Sequence, residues 1–332
     1  MFVATIDTGT TNTRVTIWKD ASPEYTAHRP AGVRMTSINR SNNALVQAVR
    51  EALAESVANV GITEADLKAI LASGMITSDL GIFEVPHVVA PVSEADLAGQ
   101  IVKALIPEVS ESSPIYFIPG IKNRVNNLSA VNCEEMDIMR GEETEAFGII
   151  ARESLQGPAI LVLPGSHTKF IYFNAHNQIE GCMTTLAGEM LMQLTEATIL
   201  TDSLNAEYAE AIDEKWIIDG AESAKKVGLN RTASLIRILD LFTDASLKQR
   251  ANFLLGAVVQ TDITALLNSS IFHLKCGSRI LVCSNSVFSA AMFHILKNTP
   301  VLTGKITQIS PGAAQNLAGY GAIHLAQKAG II

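Results

Sequence analysis

One pattern occurs twice in this chain and restricts its fold more than any other feature. Residues 3–20 read VATIDTGTTNTRVTIWKD, an apolar run, a turn of glycine and hydroxyls, then an alternating run. Residues 159–173, AILVLPGSHTKFIYF, repeat the plan, so that Gly9 corresponds to Gly165, Thr10 to Ser166 and Asn12 to Thr168. Strand-like segments on both sides of a Gly/Thr/Asn turn predict a β-hairpin at each place. One hairpin design used twice at this separation predicts an internal duplication at domain scale.

Length agrees with duplication, because 332 residues exceed the size at which a single core stops growing. A hydrophobic fraction of 48% with 17% charged residues supplies core material for two α/β domains. The net charge of −8 argues against a general nucleic-acid binder, so any anionic ligand must meet locally concentrated positive charge. No apolar run is long enough to cross a bilayer, and the first one lacks a basic leader and is broken by Asp7. The expectation is a cytoplasmic enzyme or binding protein with neither membrane nor nucleic-acid partners. Cys133, Cys182, Cys276 and Cys283 form no CxxC pair and no zinc-like spacing, and are expected to be buried free thiols.

Between the hairpins, apolar positions recur at helical spacing from Asn42 to Val60 and stop at Gly61, a C-cap signal. Thr63 with Asp66 and Ser93 with Asp96 each place a hydroxyl three residues before a carboxylate, marking helix starts. Short strand-like runs lie near Ala69–Ala72, His87–Ala90 and Ile115–Ile118, and RGEETEAFGIIARE reads as a helix. After the second hairpin comes a mostly helical stretch including QRANFLLGAVVQTDITALL, then strand-like RILVC and a helical run from Ala313 to Ala329.

A turn rich in Gly, Thr and Ser concentrates backbone N–H groups and hydroxyls as a polyphosphate requires. One such turn alone is equally well an ordinary polar hairpin; two of them point to phosphate. The chain has no GxxxxGK[ST], and no GxGxxG follows its first strand, which leaves a two-hairpin phosphate clamp. Asp7 beside the first turn suits hydrated Mg²⁺, an ion that keeps its waters and accepts one or two carboxylates. Gly9, Thr10, Thr11 and Asn12 are the phosphate candidates of the first loop; Gly165, Ser166, His167, Thr168 and Lys169 are those of the second.

In order along the chain, IDTGTTNTR, GMITSDLGIFEVP, FIPGI, MDIMRGEETEAFG, LPGSHTKF and TTLAGEM resemble the 2-dehydro-3-deoxygalactonokinase family of the sugar kinase and actin superfamily. The resemblance implies an α/β fold of two RNase H-like (actin-like ATPase) domains, 1–140 and 141–332, with a nucleotide cleft between them. It implies a last helix that packs back toward the N-terminal domain. The implied reaction is ATP- and Mg²⁺-dependent phosphorylation of the terminal (6-) hydroxyl of 2-dehydro-3-deoxy-galactonate in galactonate catabolism. The implied partner is thus a small sugar acid, and a homodimer is expected from how often such enzymes pair. Thr8 departs from the bulky aromatic that often follows the first aspartate of the family. RILVCSNSVFSAAMF lacks the expected glycines of an adenosine loop, so Ser284 and Asn285 are adenosine candidates by position only.

Phosphoryl transfer to an alcohol needs positioned reactants, charge neutralisation and a carboxylate that accepts the hydroxyl proton. MDIMRGEETEAFG supplies the candidates, ranked Glu142, Asp137, Glu143; Glu145 is read as complementing the helix dipole. For the substrate carboxylate the cationic candidates are Arg14, which reads equally as an exposed strand residue, Arg124 and Arg140, while GMITSDLG reads either as offering Ser78 and Asp79 to sugar hydroxyls or as a flexible turn. Lys122 with Arg124 reads equally as a solvated loop. Two rivals stand: a kinase for another sugar or sugar acid, and a non-catalytic nucleotide-dependent sensor or assembly protein of the same superfamily.

Overall fold

The structure is a computed structural model that describes residues 1–272, 277–283, 286–309 and 316–332. Phe2–Thr8 (β1) and Thr13–Lys19 (β2) form the first hairpin, with Thr8 opposite Thr13. Ser22–Arg29 (β3) adds an antiparallel edge strand that alternation did not reveal, since Ala27 is its one fully buried residue. Val33–Asn39 (α1) and Asn43–Val60 (α2) follow; α2 buries Leu45, Val49, Ala52, Leu53 and Val57 against β1 and β2. It ends where Gly61 adopts a left-handed φ of 72°, a conformation that costs other residues more. Leu67–Gly74 (β4) runs parallel to β1. The Thr63–Asp66 capping box is present but starts a single 3₁₀ turn rather than a helix, because β4 begins at once. Val88–Val89 (β5), the five-residue helix Glu94–Ala98 (α3) under its own Ser93–Asp96 box, Val102–Ala104 (β6), Ile115–Phe117 (β7), Ile121–Lys122 (β8) and Ile138–Met139 (β9) complete the first half.

Glu142–Glu153 (α4) leads into the second half, where Ala159–Leu163 (β10) and Thr168–Phe173 (β11) form the second hairpin and Ile179–Thr185 (β12) its edge strand. Then come the helices Ala187–Glu196 (α5), Thr201–Leu204 (α6), Glu214–Val227 (α7), Leu229–Phe242 (α8) and Leu247–Asn268 (α9). Arg279–Val282 (β13), Val287–Lys297 (α10), Ile306–Gln308 (β14) and Leu317–Lys328 (α11) close the chain. The two main sheets have the orders β3-β2-β1-β4-β7-β6 and β12-β11-β10-β13-β14. Apart from the added edge strand β6, both place three antiparallel strands beside two parallel ones.

The duplication reaches past the hairpins. Each third strand is followed by a glycine pressed onto the preceding turn: a Cβ on Gly32 would lie 2.5 Å from the Gly9 carbonyl oxygen, and one on Gly188 would lie 2.3 Å from that of Gly165. The first helical turn at each glycine also bonds its hairpin turn, Arg34 N–H to Thr10 O at 2.9 Å and Glu189 N–H to Ser166 O at 3.1 Å. Both turns are thereby held with their carbonyls tied down.

Helices α4 and α11 fill the space between the sheets, in one core that joins Val3, Trp18 and Leu71 of the first to Leu161, Ile171 and Phe173 of the second. Phe147 of α4 meets Phe173 edge-on at 6.2 Å, and Tyr320 of α11 meets Trp18 at 4.9 Å. The two helices touch backbone to backbone. A Cβ on Gly321 would sit 1.7 Å from the Thr144 carbonyl oxygen, and one on Gly148 would sit 2.8 Å from that of Leu317. Alanine gains about 1 kcal/mol of helix propensity over glycine, but this clash with backbone forces the helices apart and dominates. Gly321→Ala is expected to cost about 3 kcal/mol or more of folding stability, read from the urea midpoint; an unchanged midpoint would contradict the tight crossing.

The outer face of the second sheet is covered by α7, α9 and α10. Among the described residues no helix is long and apolar enough to cross a membrane. Cys182 and Cys283 are buried free thiols as expected, while Cys133 is exposed because its 3₁₀ turn follows the exposed stretch 126–131; Cys276 lies outside the described residues.

Candidate active site

A cleft of about 600 Å³ lies where the two hairpins converge. Gly9 and Thr10 line it from the first loop, His167 and Lys169 from the second, and Glu142 from the start of α4. Ser78, Asp79, Glu84, His87, Lys122 and Arg140 complete its polar wall. Thr11, Asn12, Gly165 and Ser166 are exposed at the tips of the two loops.

Lys169 is only 5% exposed, a position an ammonium group tolerates because two hydrogen bonds and two nearby carboxylates compensate its charge. Its Nζ donates to Ile138 O at 2.8 Å and to Thr184 Oγ1, and lies 3.9 Å from Asp137 Oδ1 and 4.0 Å from Glu142 Oε1. Asp137 is tied into the same joint, accepting from Ile138 N–H at 2.6 Å, from Thr184 Oγ1 at 3.1 Å and from Thr184 N–H. Its carboxylate fastens β9 to β12 and does not line the cleft. Glu143 is fully buried and folded back, both oxygens accepting from Gly141 N–H at 2.8 Å. Burial, then the charge of Glu142, pushes its carboxyl up to about 8. Of the three ranked carboxylates, Glu142 is the one facing the cleft, its Oε2 accepting from Arg140 N–H at 3.1 Å.

The cationic candidates separate. Arg14 pairs with Asp7 at 2.7 Å and lines a small cavity with Asp7, Glu145 and Asn316. Arg124 is exposed, donates from Nε to Ala90 O at 3.1 Å and borders a different depression, with Glu135 and Glu180. Arg140 does reach the cleft, but its guanidinium is engaged with Thr77 Oγ1 at 2.8 Å, Val85 O at 2.9 Å and His87 Nδ1 at 3.4 Å. The neighbouring Gly141 amide is likewise taken by Glu143. Ser78 lines the cleft while donating to Met75 O at 2.7 Å. His167 Nε2 lies 2.9 Å from Glu189 Oε1. Thr168 turns its hydroxyl inward beside the buried Asp262 instead of outward to the cleft; burial pushes the Asp262 carboxyl up to about 6. Ser284 and Asn285 lie outside the described residues.

Two residues were missed for different reasons. Glu145, attributed to the helix dipole, faces Asp7: burial and then the Asp7 charge push its carboxyl up to about 8. Asp7 and Glu145 therefore place two carboxyl groups, with Arg14 as a cation beside Asp7, in one small cavity near the first loop. Among the described residues no group of three or more acidic, His or Cys side chains could hold a metal ion. The Asp7 and Glu145 carboxyl groups suit an ion such as Mg²⁺, which keeps most of its waters and takes one or two carboxylates. His87 was read merely as the start of a strand, and no local pattern marks it. Burial, then the charges of Arg140 and Lys122, pulls its pKa from 6.5 down to about 4. As pH falls from 6.5 toward 4 the unfolded imidazole binds its proton while the folded one resists, so this residue's contribution to stability is lost over that window. The melting temperature of the wild type should fall more steeply there than that of His87→Gln; parallel curves would contradict a neutral, half-buried His87.

The 2-keto-3-deoxy-galactonokinase family model matches residues 7–315. The chain belongs to that family. It is a sugar kinase, and nucleotide use comes with kinase chemistry. Among solved structures it resembles a Sinorhizobium meliloti protein assigned as a 2-dehydro-3-deoxygalactonokinase, with TM-score 0.73 and 18% identity over 98% of this chain and 96% of that one. It also resembles component A of the (R)-2-hydroxyglutaryl-CoA dehydratase of Acidaminococcus fermentans, with TM-score 0.50 and 13% identity over 99% of both chains. Among curated proteins no sequence relative matches. The fold is the two-domain actin-like ATPase fold of the sugar kinases, in agreement with the repeated sheet order.

Proposed function

We propose that this kinase transfers the γ-phosphoryl group of ATP to the terminal (6-) hydroxyl of 2-dehydro-3-deoxy-galactonate, serving galactonate catabolism in the cytoplasm. The observation that carries the reading is that both hairpin turns and the Glu142 carboxylate line one cleft. The loop amides, with His167 and Lys169, bind and orient the phosphates, and Glu142 accepts the proton of the attacking hydroxyl. Asp7 and Glu145 would hold Mg²⁺, which when bound neutralises charge on the phosphoryl oxygens. Ser78 and Asp79 bind sugar hydroxyls at the acceptor end.

ADP release measured with the galactonate-derived and the gluconate-derived 2-keto-3-deoxy acids tests the substrate. A clear advantage in kcat/KM for the galactonate-derived acid is expected. Equal values would reject the stereochemical assignment, and ADP release independent of any sugar would favour the sensor reading.

A further inference from the structure

Besides His87 and the loops' own amides, four cationic or imidazole side chains border the cleft, and three have their polar atoms engaged. Arg140 is occupied by Thr77, Val85 and His87, Lys169 by Ile138 and Thr184, and His167 by Glu189. The fourth is Lys122. It ends the two-residue strand β8, which pairs with β5 and β9, and is half-buried in the cleft wall. Its ammonium has no ion pair or hydrogen bond among the described residues.

The same small sheet brings a neutral donor beside it. The Arg140 guanidinium can only donate, so the His87 Nδ1 that it meets at 3.4 Å must accept, which puts the ring proton on Nε2. That Nε2–H is buried without a partner. A positive ammonium at the end of β8 and an unpartnered N–H just before β5, both on residues that line the cleft, suit a group made solely of acceptors, such as a carboxylate with a carbonyl next to it. Asp79 and Glu84 on the same cleft offer acceptors for the hydroxyls of such a molecule.

We propose that Lys122, with His87 as a second donor, binds the carboxylate end of a 2-keto acid, and that this pair makes the kinase select sugar acids over neutral sugars. The inference rests on the sugar-acid reading above and assigns to Lys122 the part that sequence gave to the arginines.

Steady-state kinetics with the 2-keto-3-deoxy acid and with its carboxamide test it. Wild type is expected to prefer the acid. A hydrogen bond to a charged group commonly changes affinity by about 10- to 100-fold, so Lys122→Met should raise KM for the acid by about that factor. Its kcat, its KM for ATP and its turnover of the carboxamide should stay within about threefold of wild type, which also reports an intact fold. Lys122→Arg should restore most of the affinity, and His87→Phe should give a smaller rise for the acid. An unchanged acid-to-amide ratio in Lys122→Met overturns the anchor while leaving the sugar-acid kinase standing. A wild type that phosphorylates a neutral sugar but neither acid overturns both.

Discussion

Asp7→Asn is expected to lower kcat by about three orders of magnitude while the protein keeps its fold. The carboxylate stands one residue before the end of β1, and its Oδ1 lies 3.3 Å from where a Cβ on Gly74 would stand, so it packs close to neighbouring backbone. Arg14 takes Oδ2 at 2.7 Å, leaving the other oxygen for a partner in the site. Losing a negative charge that supports phosphoryl transfer removes several kcal/mol of transition-state stabilisation, and each 1.4 kcal/mol is tenfold in rate. The cost to folding is small by comparison. The Asp7–Arg14 pair is partly open, with side chains 22% and 54% exposed, and such pairs contribute about 1 kcal/mol or less. Asparagine also keeps an oxygen for Arg14. Single-turnover kinetics at saturating ATP and Mg²⁺, beside a melting curve, check this; an unchanged kcat at saturating Mg²⁺ would remove Asp7 from the site.

The parts of this fold legible in sequence are those whose causes are local. Alternation and turn chemistry are properties of a dozen consecutive residues, so both hairpins and their correspondence could be read, as could α2 with its Gly61 cap. Strand β3 could not, because an edge strand with Pro23 and Glu24 exposed carries no inward face to alternate. Glycines at 148 and 321 look like weak points in two helices until the helices cross, and only the crossing explains them. The equal spacing of Gly9 to Gly32 and of Gly165 to Gly188 was a usable signal for the longer repeat.

Within the site, residue types were legible and orientations were not. Strand neighbours point to opposite faces, so nearness in sequence to Glu142 said nothing about where Asp137 points. Thr168 faces the interior for the same reason, one residue before Lys169 turns toward the cleft. Lys122 ends, and His87 precedes, strands of two residues, too short to carry a period, whose pairing joins segments far apart in the chain. A cation in a loop-like stretch then reads as solvated until the sheet that holds it is known.

Glu142→Gln is the second large expected effect. The amide keeps the size of the side chain and an oxygen to accept from Arg140 N–H, but it has no basic oxygen for the attacking hydroxyl. General-base catalysis commonly contributes about 10²- to 10⁴-fold, so kcat should fall within that range with KM for both substrates little changed. Asp137→Asn is the contrasting variant. Its carboxylate bonds Ile138 N–H and both groups of Thr184 and lies 3.9 Å from a buried ammonium, so loss of its charge weakens the joint between β9 and β12 and leaves Lys169 less well compensated. That variant should lose stability, while kcat per folded molecule should stay well above that of Glu142→Gln. The melting temperature and the active fraction, measured on both proteins, separate lost chemistry from lost structure. If Asp137→Asn loses the rate and Glu142→Gln keeps it, the proton goes to Asp137, and the joint must open during turnover to free an oxygen that Thr184 now holds.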